Sequence, residues 1–260
     1  YDEKPTKSYL DNAKIALNIV ILNADEYSEE KMIAQSNLSL LTAREIKGTN
    51  PSASKESLYE ALQYNPFNPE TYVYLSDWGI DGGKNVDYAD SAIALSKQTY
   101  NLKILSSAFL SKAKKERSLL NKADDEDQDK SFKKIMRLCD SSIESDKFNL
   151  EALVKRGQFY LDWSFAVSKL DYGSKRIDEF LENAKKDFQV LANTDSNINN
   201  KYYNKGRLLL GKTHYLLSKR ASYDENLKLA NIYLENIHEK LPSETDGVIY
   251  QALTALKLGI

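Results

Sequence analysis

The sequence predicts an all-α protein built from about five to six repeated helix pairs. Three observations carry that reading. Small and apolar residues recur with a period near 3.6 over most of the 260 residues, no segment alternates with period two over a useful length, and one helix–turn–helix frame returns along the chain. It is clearest where Ser54, Leu58, Ala61 and Leu62 run to Asn65-Pro66 and Tyr72, Leu75 and Ser76 open the next stripe. It returns as Ile135, Cys139, Ser142, Ile143 and Lys147 before Leu153, Gly157 and Tyr160, and as Ala184, Phe188, Leu191, Ala192 and Ser196 before Tyr202, Gly206 and Leu209. A further copy has Ala230, Leu234, Ile237 and Pro242 before Val248, Ala252 and Ala255.

Periodicity and punctuation place twelve helices, at about 6–25, 28–47, 52–65, 69–80, 86–100, 102–120, 130–146, 149–171, 174–193, 199–219, 223–241 and 244–258. The stops are Gly48-Thr49-Asn50-Pro51, Asn65-Pro66, Asp81-Gly82-Gly83, Tyr172-Gly173 and Leu241-Pro242, where glycine admits a left-handed cap or proline denies the next helical hydrogen bond. Ser243 to Asp246 reads as an N-cap followed three residues later by a capping acid. The first helix, with Ala13, Leu17, Val20 and Ile21, is expected to be half of a degenerate pair or a cap. The last carries the wide apolar stripe Val248, Ile249, Ala252, Leu253, Leu256 and Leu258, which calls for a docking surface or a partner.

This pattern resembles the tetratricopeptide repeat, a 34-residue unit of two helices. The resemblance implies a right-handed α-α superhelix in one domain over 1–260: an N-terminal cap at 1–27, regular repeats at 28–120, an acidic insertion at 121–129, long-helix repeats at 130–243 and a capping helix at 244–260. Thr42 to Ser76 is one 34-residue step, whereas Leu110, Gly157, Gly206 and Ala252 are 47, 49 and 46 apart, so the second half carries longer helices or turns. Gly157, Gly206, Ala61, Ala184 and Ala252 are the small residues at which paired helices are expected to cross, with Tyr72 and Tyr202 filling the space between pairs.

The family's concave-face positions fall here on Tyr74 and Asp77 with Glu70, Val73, Ile80 and Asp81; on Lys155 and Gln158 with Glu151, Val154, Leu161 and Asp162; and on Tyr203, Asn204 and Arg207 with Asn200, Leu210 and Gly211. The Lys and Asn clamp by which one branch of the family reads a terminal carboxylate is missing. A mixed polar and aromatic groove of this kind suits an extended peptide or a partner helix. The resemblance therefore implies a non-catalytic protein-interaction scaffold. The alternative is a small-ligand or lipid-binding solenoid component associated with a bacterial transport system, and a closed apolar cavity rather than an open groove would mark it.

Composition narrows the field. The chain is 42% hydrophobic and 28% charged with a net charge of −2, and its mean hydropathy is −0.55 with a pI near 5.9. Without a concentrated basic face, nucleic acid is not an expected partner, and no apolar run is long enough to span a bilayer. The oligomeric state is left open. Cys139, the one cysteine, sits in an apolar slot and is expected to pack as a small hydrophobe. The sequence opens at Tyr1 without methionine, as in a chain whose signal or lipid-anchored N-terminus has been removed or one trimmed to its folded core; the first would make it an extracytoplasmic, periplasmic protein, and with that a lipoprotein, and that location is favoured over a cytoplasmic one.

No catalytic constellation is legible, and no cofactor or metal is expected. His214 and His238 have no metal-ligand spacing, and no nucleophile-elbow, phosphate-loop or paired-cysteine motif occurs. Gly79 to Lys84 lacks the preceding strand and the Ser or Thr that a phosphate loop needs. The acidic run Asp124, Asp125, Glu126, Asp127, Gln128, Asp129 fails as a calcium loop, because counting from Asp125 puts Lys130 at the glycine position and Met136 at the glutamate position. Its carboxylates suit the positive end of the following helix instead. Calcium should therefore leave the thermal midpoint unchanged in calorimetry. A specific site held at a hundred times its dissociation constant would add about 2.7 kcal/mol and shift the midpoint by degrees.

Overall fold

The structure, a computed structural model, describes residues 7–79, 87–120, 125–170, 174–197 and 200–259. Those residues form thirteen helices and no strand. They are α1 (Lys7–Asn23), α2 (Glu29–Ile46), α3 (Pro51–Tyr64), α4 (Pro69–Asp77), α5 (Tyr88–Gln98), α6 (Leu102–Leu120), α7 (Asp125–Ser145), α8 (Leu150–Leu170), α9 (Lys175–Ala192), α10 (Asn200–Ser218), α11 (Tyr223–Leu234), α12 (Ile237–Lys240) and α13 (Thr245–Leu258). The turn residues start them: the side chains of Ser28, Asn50, Asn68, Asp87 and Ser174 each accept a backbone N–H in the first turn that follows, and Pro51 and Pro69 occupy first-turn positions that need no donor. Helices α1–α7 form one compact unit and α8–α13 a second, divided between Asp146 and Lys147.

In the first unit, small polar residues let paired helices approach closely. Ser36 of α2 donates to the Ala61 carbonyl at 2.8 Å, and Ser54 of α3 donates back to the Ala43 carbonyl at 2.7 Å. The α6–α7 pair repeats the device, Ser106 donating to the Ser142 carbonyl at 2.6 Å and Ser142 to the Ser106 carbonyl at 2.8 Å. Buried hydroxyls are tolerated here because each has an acceptor. Around them Leu40, Ala43, Leu58, Ala61, Leu75 and Tyr88 form a core, with Tyr72 packed against it 6.0 Å from the Tyr88 ring. Burial pushes the Tyr88 hydroxyl up to about 12, with a hydrogen bond to Tyr59 adding to the shift. Cys139 is wholly buried, as its apolar slot implies.

In the second unit glycine replaces serine at the crossings. A Cβ on Gly206 of α10 would lie 2.6 Å from the Ala192 backbone nitrogen, and one on Gly157 of α8 would lie 2.4 Å from the Phe188 ring of α9. The α8–α9 pair is also clamped by charge. Arg156 Nε and Nη2 reach the two oxygens of the nearly buried Asp187 carboxylate at 3.0 and 2.6 Å. Helix α10 lies between α9 and α11 and also meets α8 and α13, so it is buried on most of its circumference from Asn204 to Ser218.

Five expectations change. Helix α4 stops at Asp77 because Gly79 takes a left-handed φ of 64°; the expected stop at Asp81-Gly83 lies outside the described residues. Helix α7 begins at Asp125, not near 130, so residues 125–129 of the expected acidic insertion are helical, and 121–124 lie outside the described residues. The expected single helix over 223–241 is two, broken at Asn236 (φ 55°), a residue type that tolerates the left-handed region. Ser243 does not cap α13, which starts at Thr245; Glu244 and Asp246 pair instead with Lys205 and Lys212 of α10. Ala252 is exposed, and α13 makes its close approach through Gly247, which faces Leu208 and Ile237.

The two small residues should therefore respond differently to added bulk. Gly206→Ala forces backbone apart and is expected to cost about 1–3 kcal/mol in urea unfolding. Ala252→Leu, on an open face, should stay within about 0.5 kcal/mol of wild type. Equal costs at both sites would contradict the crossing at Gly206.

Candidate functional site

The second unit holds an open cleft of about 410 Å³ between α8, α10 and α13. Helix α8 supplies Lys155, Gln158, Phe159, Leu161, Asp162 and Phe165, spaced so that one face of the helix turns toward it. Helix α10 adds Leu209, Lys212 and Leu216, and α13 adds Asp246 and Tyr250. Phe159, Leu161 and Leu209 are buried and form an apolar floor, while Phe165 stands 42% exposed at the margin.

Charge at the cleft is partly neutralised. Lys212 Nζ lies 3.1 Å from Asp246 Oδ2 and 5.5 Å from the centre of the Tyr250 ring. Burial, reinforced by Asp246 and Tyr215, raises the Tyr250 hydroxyl above its usual range and keeps it a donor. Lys155 and Gln158 are half-buried with no hydrogen bond or ion pair to the described residues, which leaves an ammonium and an amide facing the opening.

The seven candidate groove residues are distributed unevenly. Tyr74 and Asp77 belong to the first unit. Tyr74 is half-buried, with the Arg44 guanidinium 5.4 Å above its ring and Trp78 5.3 Å away, and Asp77 is exposed with Lys114 at 3.5 Å. Lys155 and Gln158 line the cleft of the second unit. Tyr203, Asn204 and Arg207 do not share an open face with them. Asn204 is only 5% exposed and donates to Asn200, and Arg207 turns the other way, donating to the Ile232 carbonyl of α11 at 2.8 Å with its guanidinium 5.8 Å from the Tyr203 ring. Leu210 and Gly211 are buried too, Gly211 against Leu234. The physical reason is the central position of α10: its repeat-derived groove face is taken up by neighbouring helices, and the cleft receives Leu209, Lys212 and Leu216 instead.

Those three residues, Phe165 and Tyr250 were missed by sequence reasoning. The 3- and 4-residue spacing of Leu209, Lys212 and Leu216 was readable, but α10 carries apolar residues on other faces as well, and nothing local ranks them.

Elsewhere in this unit His214 is 5% exposed. Its Nδ1 lies 2.8 Å from Asn226 Oδ1, and its ring stacks on Tyr233 at 5.7 Å and 7°. Because Asn226 Nδ2 donates to the Ala221 carbonyl, the amide is oriented so that His214 Nδ1 carries the proton. Burial lowers the imidazole below its ordinary 6.5; Lys185 acts in the same direction, and the Asn226 hydrogen bond, Glu182 and Glu225 act against it. Among the described residues no group of three or more His, Cys, Asp or Glu could hold a metal ion, and no helix is long and apolar enough to cross a membrane.

No family model and no curated protein matches the chain. Solved structures do. A human IFIT1 dimer with m7Gppp-AAAA superposes over 95% of this chain and 53% of its own, at 16% identity and a TM-score of 0.50. A monomeric IFIT1 mutant with Gppp-AAAA superposes over 95% of this chain and 54% of its own, at 16% identity and a TM-score of 0.52. The chain thus spans about half the length of these proteins, and the likeness supports a tetratricopeptide-like helical repeat fold. It also overturns the exclusion of nucleic acid as a partner, since proteins of similar fold are solved with capped oligoribonucleotides. Net charge by itself does not make that exclusion, because a ligand meets the local field and stacking surfaces of a site.

The lowered His214 imidazole fixes the sign of one pH effect. Above its ordinary 6.5 the ring is neutral folded and unfolded, and the packed, neutral-ring contribution is fully present. As pH falls below that value the unfolded chain takes up the proton first, so stability declines toward the folded-state pKa. Melting at pH 8 and pH 5.5 should show a larger acid loss for wild type than for His214→Gln; identical losses would remove His214 as the cause.

Proposed function

We propose that the chain is a non-catalytic helical-repeat binding scaffold that takes a short extended peptide of a protein partner in the cleft between α8, α10 and α13. The observation that carries this is the pairing of an open apolar floor with two uncommitted polar groups, Lys155 and Gln158, beside the exposed ring of Phe165. An apolar or aromatic side chain of the peptide fills the floor, Gln158 hydrogen-bonds its backbone, and Lys155 favours an acidic neighbour. The openness of the cleft supports this occupant over an enclosed small molecule or lipid.

A fluorescence-polarisation screen of short acidic-aromatic, basic and scrambled peptides tests the proposal, with a capped oligoribonucleotide as the competing ligand because of the similar folds solved with one. The best acidic-aromatic peptide should weaken at least about tenfold, or roughly 1.4 kcal/mol, with Phe165→Ala and again with Lys155→Glu, at unchanged melting temperature. Preference for the oligoribonucleotide, or peptide binding indifferent to both variants, would overturn it.

A further inference from the structure

The cleft between α8, α10 and α13 carries two ammonium groups in different states. Lys155, on the α8 wall, has no hydrogen bond or ion pair to the described residues. Lys212, on the α10 wall, has its Nζ 3.1 Å from Asp246 Oδ2, and both residues line the cleft. The remaining charged group of the lining, Asp162, is exposed on α8. The Lys212 pair is lopsided, since the lysine side chain is 12% exposed and that of Asp246 67% exposed. A cation held that far from water depends on an anionic partner more than an exposed carboxylate does. Its Nζ also lies over the Tyr250 ring, 5.5 Å from the centre. Asp246 is thus the replaceable member.

Losing that contact would not release α13. Glu244 pairs with Lys205, Gly247 packs on Leu208 and Ile237, and the Tyr215 and Tyr250 rings meet edge-on at 5.3 Å. A freed Asp246 carboxylate would stay in the first turn of α13, where the helix dipole favours it.

We propose, building on the peptide reading of this cleft, that Asp246 stands in for an acidic side chain of the ligand, so that the full ligand carries two acids with an aromatic residue between them. The aromatic side chain fills the floor of Phe159, Leu161 and Leu209, one acid meets Lys155, and the other displaces Asp246 from Lys212. In an extended peptide alternate side chains share a face, which gives the order acid, any residue, aromatic, any residue, acid. The exchange trades one carboxylate for another at a cation that is already largely desolvated, so no charge is left buried and unpaired. It also sets a threshold. A segment with a single acid leaves Asp246 in place, and the second ammonium stays closed to it.

Chemical-shift titration of the isotope-labelled 260-residue chain with the peptide Ac-Glu-Ser-Phe-Ser-Glu-amide, and with its two analogues in which one Glu is Gln, tests this. The two-acid peptide should bind wild type about fivefold more tightly than either analogue. That advantage should widen to about tenfold or more in Asp246→Asn and disappear in Lys212→Met. Lys212→Arg, which keeps the charge, should preserve it even where Lys212→Met melts lower. A pair that only docks α13 would change the binding of all three peptides alike. An advantage that does not grow in Asp246→Asn, or that persists in Lys212→Met, would overturn the inference and leave the peptide reading standing. If no resonance of the cleft residues moves with any of the three peptides, in wild type or in the variants, the peptide reading fails and this inference fails with it.

Discussion

The structure depends on how closely two helix backbones can approach within a pair. In the first unit that distance is set by serines whose hydroxyls bond the opposite helix's carbonyls, as at Ser36, Ser54, Ser106 and Ser142. In the second it is set by Gly157, Gly206 and Gly211, where even a methyl would strike the partner. The two solutions differ in consequence. Reciprocal hydroxyl bonds fix the register of a pair, because sliding by a residue strands two buried polar groups. Glycine contacts set the separation and leave register to larger side chains and to ion pairs such as Arg156–Asp187.

Ion pairs between elements occur in both units, in the first as Lys14–Glu45, Lys114–Asp77 and Lys134–Glu116. In the second unit Arg156 of α8 is tied to Asp187 of α9, Lys205 and Lys212 of α10 to Glu244 and Asp246 at the start of α13, and Arg220, just past α10, to Asp178 of α9. The exposed members of these pairs contribute little each. The Arg156 pair is different because Asp187 is nearly buried, so loss of the arginine removes a bidentate partner from a carboxylate that water reaches poorly. Lys212 belongs to this set and also to the cleft, so the same contact that docks α13 on α10 leaves Lys155 as the cation of the cleft lining with no ion pair to the described residues.

Much of the fold was legible in the sequence because its signals are local. Helix periods, the stops at Gly48-Thr49-Asn50-Pro51 and Asn65-Pro66 and the Gly157 and Gly206 crossings all act within a turn or between adjacent helices. The errors share the opposite character. The break at Asn236 is a single left-handed residue in an otherwise helical stretch, and the assignment of Ser243 failed because Glu244 and Asp246 are engaged by lysines more than thirty residues away. The site suffered most. Family positions located the α8 wall of the cleft, but on α10 the choice of face depends on which neighbours surround the helix, and Asn204 and Arg207 were turned inward or aside by them.

The break at Asn236 reaches further than its own turn. By leaving the helical course after Leu234, the chain brings Ile237 inward, 1% exposed, against Leu208 and beside Gly247, and α13 is seated on that contact. Asp246 and Tyr250, the third wall of the cleft, ride on α13. One backbone torsion thus orients a wall of the binding surface although Asn236 lines no part of it. The residue types that fit this position are correspondingly few: glycine, asparagine or aspartate can hold the left-handed turn, whereas a β-branched residue would favour rejoining α11 and α12 and carry the wall away with them.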